Sequence, residues 1–158
     1  MSSQIKEIYA AFASLSITLG TKVVTAKQPS ELPNTIPSAN LPLRLLTPIS
    51  RFSNNFGISD TTWNSGLSSQ VNQVTWTITD LFLYDAINTQ IGVKALTDPL
   101  IDYAKEYLNQ AANGGIDLPG NCWVDQISLR PDVIEYPLGS GNFYYGVVAI
   151  VRVTEKIP

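Results

Sequence analysis

Residues 71–84 read VNQVTWTITDLFLY, and this stretch decides the fold. Val74, Trp76, Ile78 and Phe82 share one parity, while Thr75, Thr77 and Thr79 share the other. A strand turns successive side chains to opposite faces, so this alternation predicts a long strand with one buried and one largely wet face. At Leu81 and Leu83 both parities become apolar, which predicts that this end is covered on both sides, by a helix or a neighbouring subunit. Asp80 has the parity of Trp76 and Ile78, an unfavourable place for a bare charge, and Arg44 or Arg130 is the expected partner.

Upstream, Ile5, Ile8, Tyr9, Phe12 and Leu15 recur at three- and four-residue spacing. That spacing predicts an amphipathic helix capped by Ser3 and ending near Ser16. Gly20 marks a turn before a β-branched strand at Lys22 to Ala26. The segment PSELPNTIPSANLP (29–42) has too many prolines for a helix or an interior ladder and reads as a stiff surface connector. Leu43, Leu45 and Leu46 then form a short strand that Pro48 stops.

Downstream, Asp98 followed by Pro99 has the form of a cap and a first helical position. Leu100, Ala104, Tyr107, Leu108 and Ala111 continue as a stripe until Asn113-Gly114-Gly115, and residues 92 to 97 could add a preceding turn. Cys122 to Tyr136 and Asn142 to Glu155 read as two strands joined by the glycine-rich PLGSG. Two one-sided helices need an apolar sheet face to receive them. The predicted class is α+β, a mostly antiparallel sheet of about five strands with two helices on one face, in the order α-β-β-β-α-β-β. Trp76 and Leu108 are expected core residues.

Between Ile49 and Val71 lies SRFSNNFGISDTTWNSGLSSQ (50–70), too rich in Ser and Asn for a core element, yet carrying Phe52, Phe56 and Trp63. Unstructured loops of this length are uncommon in compact domains, and disordered chains carry few aromatics. An arm that orders against a partner is the functional reading; a linker, or an arm folded back on its own domain, is the plain one.

Length fits one domain: 158 residues, 44% hydrophobic and only 15% charged. The low charge suits a surface covered in part by other protein. A net charge of -3 with no Lys or Arg run argues against gripping DNA. The chain has no histidine, which excludes Ser-His-Asp and Cys-His catalysis and histidine metal sites. One cysteine, Cys122, makes neither a disulfide nor a thiolate cluster. No window is apolar enough for a membrane span and the start is unlike a signal peptide, so a soluble intracellular chain is expected. No phosphate-cradling glycine loop is found.

Three acids remain. Asp98, Asp102 and Glu106 stand four apart on the second helix and share a face with Lys94 and Lys105 nearby. They are a solvated helix face, a carboxylate site for Mg²⁺, or an acidic pore wall along which DNA slides, since like charges repel within a Debye length of about 8 Å. Tyr136, Phe143, Tyr144 and Tyr145 cluster around the last hairpin, as a stacking platform for a small ligand or as cross-strand packing.

In element order the chain resembles the tail terminator (tail completion) proteins of tailed bacteriophages. The matching parts are the helix IKEIYAAFASL, the strands TKVVTA and LPLRLLTP, the run VTWTITDLFLYDA into DPLIDYAKEYLNQAA, and the closing hairpin VDQISLRPDVIEYPLGSGNFYYGVVAIVRVTEK. The resemblance implies a homohexameric ring that caps the tail tube, joins it to the head-neck connector and lets DNA through its pore without specific binding. It further implies a virion protein of the tail or neck, assembled in the host cytoplasm, with no catalytic residues and no cofactor. Tyr144 and Tyr145, where the last strand is apolar on both faces, and the rings of the arm are then the candidate subunit and partner contacts. Asp98, Asp102 and Glu106 are the pore-lining candidates. The long arm departs from the compact pattern and keeps a head-tail adaptor or stopper open as alternatives.

Overall fold

The computed structural model describes residues 4–47, 62–65, 72–87, 93–112 and 116–157, with side chains described outside 62–65 and 93–96. It is α+β, as the alternation predicts. Helix α1 (Ile5–Ala13) is followed by strands β1 (Thr18–Leu19), β2 (Lys22–Val23) and β3 (Thr25–Lys27), two short 3-10 turns, then β4 (Leu43–Thr47) and β5 (Thr62–Ser65). Strand β6 (Asn72–Ala86), helix α2 (Val93–Ala112) and the hairpin β7 (Cys122–Glu135) and β8 (Phe143–Ile157) complete the chain. The main sheet runs β3-β4-β6-β8-β7, with β5 also pairing β6.

Strand β6 is the axis, as its alternation requires. Val74, Trp76, Ile78 and Phe82 enter one apolar cluster with Val147, Ala149, Val151 and Val153 of β8, and both helices close it through Ile8, Phe12, Leu100, Tyr103 and Tyr107. Tyr103 stacks on Phe82 with ring centroids 3.8 Å apart and planes 5° from parallel. Both helices therefore cover the same face. In β8, Gly146 sits against the carbonyl of Phe82 of β6, where any Cβ would collide with backbone. The hairpin turn uses Gly139 and Gly141 at φ of 82° and 78°, the left-handed region that glycine enters freely.

The opposite face carries a second cluster of Leu41, Leu43, Leu45, Leu81, Leu83, Ile134, Tyr144 and Val148. Within the chain, and among the described residues, what packs on it is the proline-rich connector, through Leu32 and Ile36, and not a helix. Tyr136 Oη donates to the Pro33 carbonyl at 2.6 Å and Lys22 Nζ to the Leu41 carbonyl at 2.6 Å, fixing the connector in place. The connector can do this because β3 and β4 are parallel, and a parallel pair needs a crossover. Its prolines keep it out of the ladder while its apolar residues reach down.

Four local expectations change. The strand expected at Lys22 to Ala26 is divided: β2 pairs with β1 around Gly20 at φ 61°, and β3 joins the main sheet. Helix α2 begins at Val93, so Asp98 and Pro99 lie inside it and are neither cap nor first position. Leu108, expected in the core, is 45% exposed, whereas Tyr103, left out of the stripe, is fully buried. Within the arm, Thr62–Ser65 is an edge strand pairing with Asn72–Thr75, an element its polar composition concealed.

Candidate assembly surfaces

Two buried charge contacts set the position of α1 on the sheet. Arg44 and Asp80, diagonal neighbours across the β4–β6 pair and both on the helix side, pair at 2.6 Å with no exposed side-chain surface. Of the two expected partners of Asp80, it is Arg44 from β4 and not Arg130, which lies within 3.5 Å of Asp132. Arg44 also donates to the carbonyls of Phe12 and Leu15 at 3.0 and 3.1 Å, just where α1 ends and leaves carbonyls without intrahelical partners. Its carbon centre lies 5.5 Å from the Tyr107 ring centroid. Burial disfavours the guanidinium charge, but the Asp80 carboxylate outweighs it and holds Arg44 firmly protonated. Burial and then the Asp80 charge push Tyr103 and Tyr107 well above the usual phenol range.

At the other end of α1, buried Glu155 of β8 accepts the Gln4 amide at 3.0 Å and the Trp76 indole N–H at 2.9 Å. The expected Ser3 cap lies outside the described residues; Gln4 is the cap residue, and its side chain makes no capping bond. A carboxylate thus stands at the positive end of the helix and a guanidinium at its negative end, the arrangement that complements the macrodipole. Sequence reading missed Glu155 because its signal is only a charged residue with the parity of Val151 and Val153.

With α1 and α2 fixed, the candidate contact residues fall as follows. Phe52 and Phe56 lie outside the described residues. Trp63 lies in β5, paired with Val74, and only its backbone is described. Tyr144 is buried in the second cluster of its own chain, so its burial needs no second copy, whereas Tyr145 is half-buried. Tyr136 is likewise committed to the connector, so the ring platform around the last hairpin is reduced to Phe143, which is 42% exposed, and Tyr145.

Asp98 and Asp102 are exposed on α2, and Glu106, half-buried, accepts from Gln110 at 2.9 Å. Asp102, Lys105 and Glu106 form one wall of a cleft of about 760 Å³ whose other side is Thr18, Gly20 and Lys22, with Tyr84 between. Its cations and anions balance. Among the described residues no three acidic or cysteine side chains converge as a metal site would require. Burial, followed by the charges of Glu155 and Glu7, pushes the Cys122 thiol up to about 11, which leaves it a poor nucleophile at neutral pH. Among the described residues no helix is long and apolar enough to cross a membrane.

Among the described residues, the lateral edges of the sheet carry no further strand. Strand β7 pairs, among the described residues, with β8 and with no other strand, so its outer side is one border of the described sheet. At the other border the chain leaves β4 at Thr47, opposite Thr79, and returns in β5 at Thr62, opposite Thr75. No protein-family model matches this chain, and no curated protein matches it significantly.

Proposed function

We propose that this chain is a structural virion protein, a tail terminator whose copies close into a hexameric ring on the end of the tail tube. In that role it stops tube growth, joins the tube to the head-neck connector and lets DNA pass, without doing chemistry. One observation carries the reading: both faces of the sheet at the β4 end are covered from within the chain, while its two lateral borders carry no further strand among the described residues. Unlike borders on opposite sides of one protomer suit a heterologous contact, and such contacts form a ring when the rotation between copies closes. The exposed carboxylates of Asp98 and Asp102 suit a helix α2 turned toward a pore, where they would keep DNA from sticking. An adaptor or stopper would use the same geometry with different neighbours above and below.

The test is light scattering with negative-stain imaging of the purified protein, alone and with purified tail tubes. A ring that caps tubes and halts their extension is the expected result. A strictly monomeric protein that leaves tube growth unchanged would overturn the proposal.

A further inference from the structure

We propose that the pocket between strand β3 and the proline-rich connector binds the dianionic head of an organic phosphate monoester, with the apolar body of the ligand lying against Ile36 and Leu43. The inference concerns a single protomer and does not depend on the ring reading above.

The pocket has a volume of about 350 Å³, inside the range of roughly 300–1,000 Å³ in which small-ligand sites fall. Strand register places its walls. Thr25 and Lys27 are two residues apart on β3, so their side chains leave the same face, and their partners Leu43 and Leu45 belong to the second apolar cluster. Both therefore point to the face on which the connector packs. The connector supplies the facing wall through Thr35 and Ile36, and the bond from Tyr136 to the Pro33 carbonyl holds it there. Lys22 donates through Nζ to the Leu41 carbonyl at 2.6 Å, which keeps its ammonium beside Pro42 at the pocket wall.

Charge decides what fits. The described residues that line the pocket include two lysines, the hydroxyls of Thr25 and Thr35, and no acid. In a chain with 13 acidic against 10 basic side chains, such a wall runs against the overall composition. Neither ammonium is paired with a carboxylate among the described residues. Lys22 keeps two N–H donors beyond the one given to Leu41, and Lys27 keeps all three. An ammonium is a compact point charge that serves phosphate, whereas planar bidentate recognition of a carboxylate favours arginine. With a second pKa of about 6, a phosphate monoester carries close to two negative charges at neutral pH and matches two lysines.

The larger cleft against α2 also touches Lys22, but there Asp102 and Glu106 offset Lys22 and Lys105, so it selects no ion. The smaller pocket has, in addition, an apolar floor of half-buried Ile36 and buried Leu43. Carbon atoms of a ligand would remove that floor from water, which a bare ion cannot do.

Calorimetric titration of the full chain with phenyl phosphate at neutral pH and low salt tests this. Saturable binding of one ligand per chain is expected. Lys27→Gln, which keeps much of the stem and removes one charged donor, should weaken it about tenfold or more. Thr25→Asp, at an exposed position, brings a carboxylate to the pocket and should abolish binding; it serves if Lys27→Gln fails to fold. Lys156→Gln removes the same charge at an exposed position of β8 and should leave the affinity unchanged. Benzoate, with one charge, and inorganic phosphate, with no apolar body, should both bind more weakly than phenyl phosphate. A titration without saturation overturns the site, as does undiminished binding by folded Lys27→Gln or Thr25→Asp. Equal weakening by Lys156→Gln would reduce the effect to net charge and overturn it too. Benzoate or inorganic phosphate binding as tightly as phenyl phosphate would overturn the ligand class.

Discussion

Arg44 and Asp80 meet at 2.6 Å across the β4–β6 pair with neither side chain reaching solvent, and the same guanidinium holds the carbonyls that end α1. Removing one member leaves a buried charge with no counterpart. Asp80→Asn or Arg44→Met should therefore cost about 3–5 kcal/mol in urea unfolding, much of an ordinary domain's stability. The double variant Arg44→Met, Asp80→Leu should recover a large part of that loss. Equal losses in the single and double variants would mean that the pair's geometry, and not its charge, holds α1.

Glu155→Gln keeps the shape of the side chain but turns one of its two acceptors into a donor facing the Gln4 amide or the Trp76 indole. The expected cost is about 1–3 kcal/mol, with amide exchange accelerated first in α1. Exchange that stays uniform along the chain would show that Glu155 does not cap this helix.

Trp76→Ala should cost about 3–5 kcal/mol, because the ring is buried beneath both helices. Leu108→Ala, on the outer side of α2, should change stability by no more than about 0.5 kcal/mol. A large loss at Leu108 in the monomer would contradict the rotation of α2 described above.

Gly146→Ala forces a methyl group against the Phe82 carbonyl in the middle of the sheet, where neither strand can retreat without breaking the ladder. A loss of about 1–3 kcal/mol or more is expected, read as a lowered melting temperature. A neutral substitution would require β6 and β8 to lie farther apart.

Alkaline stability follows from groups kept neutral by burial. The Cys122 thiol is raised to about 11 from 9.0 and the Tyr9 phenol to about 12 from 10.0, with Tyr103 and Tyr107 raised further. Because these folded-state values exceed the unfolded ones, the stabilisation is complete below about pH 9 and is lost as pH rises from 9 through 12. The melting temperature should fall across that window, and Cys122→Ala should lessen its first part. A flat profile to pH 11 would contradict the burial of these groups.

The parity of residues 74–82, the stripe of α1 and the closing hairpin were legible because helix and strand periods are local properties of the chain. The need of Asp80 for a cation was legible too, since a charge among apolar neighbours of the same parity is already an anomaly in the sequence. The choice of Arg44 over Arg130 was not. That choice depends on β4 lying beside β6 in a register that sets Arg44 opposite Phe82, and register is a long-range property. The cap of α1 likewise comes from Glu155, 151 residues away from Gln4. The proline-rich connector became the cover of the second face only because β3 and β4 run parallel. The sequence alone determined which residues need burial and with what period. Tertiary structure decided which partners meet them and which strands lie at the borders of the sheet, because those depend on strand order and not on neighbours along the chain.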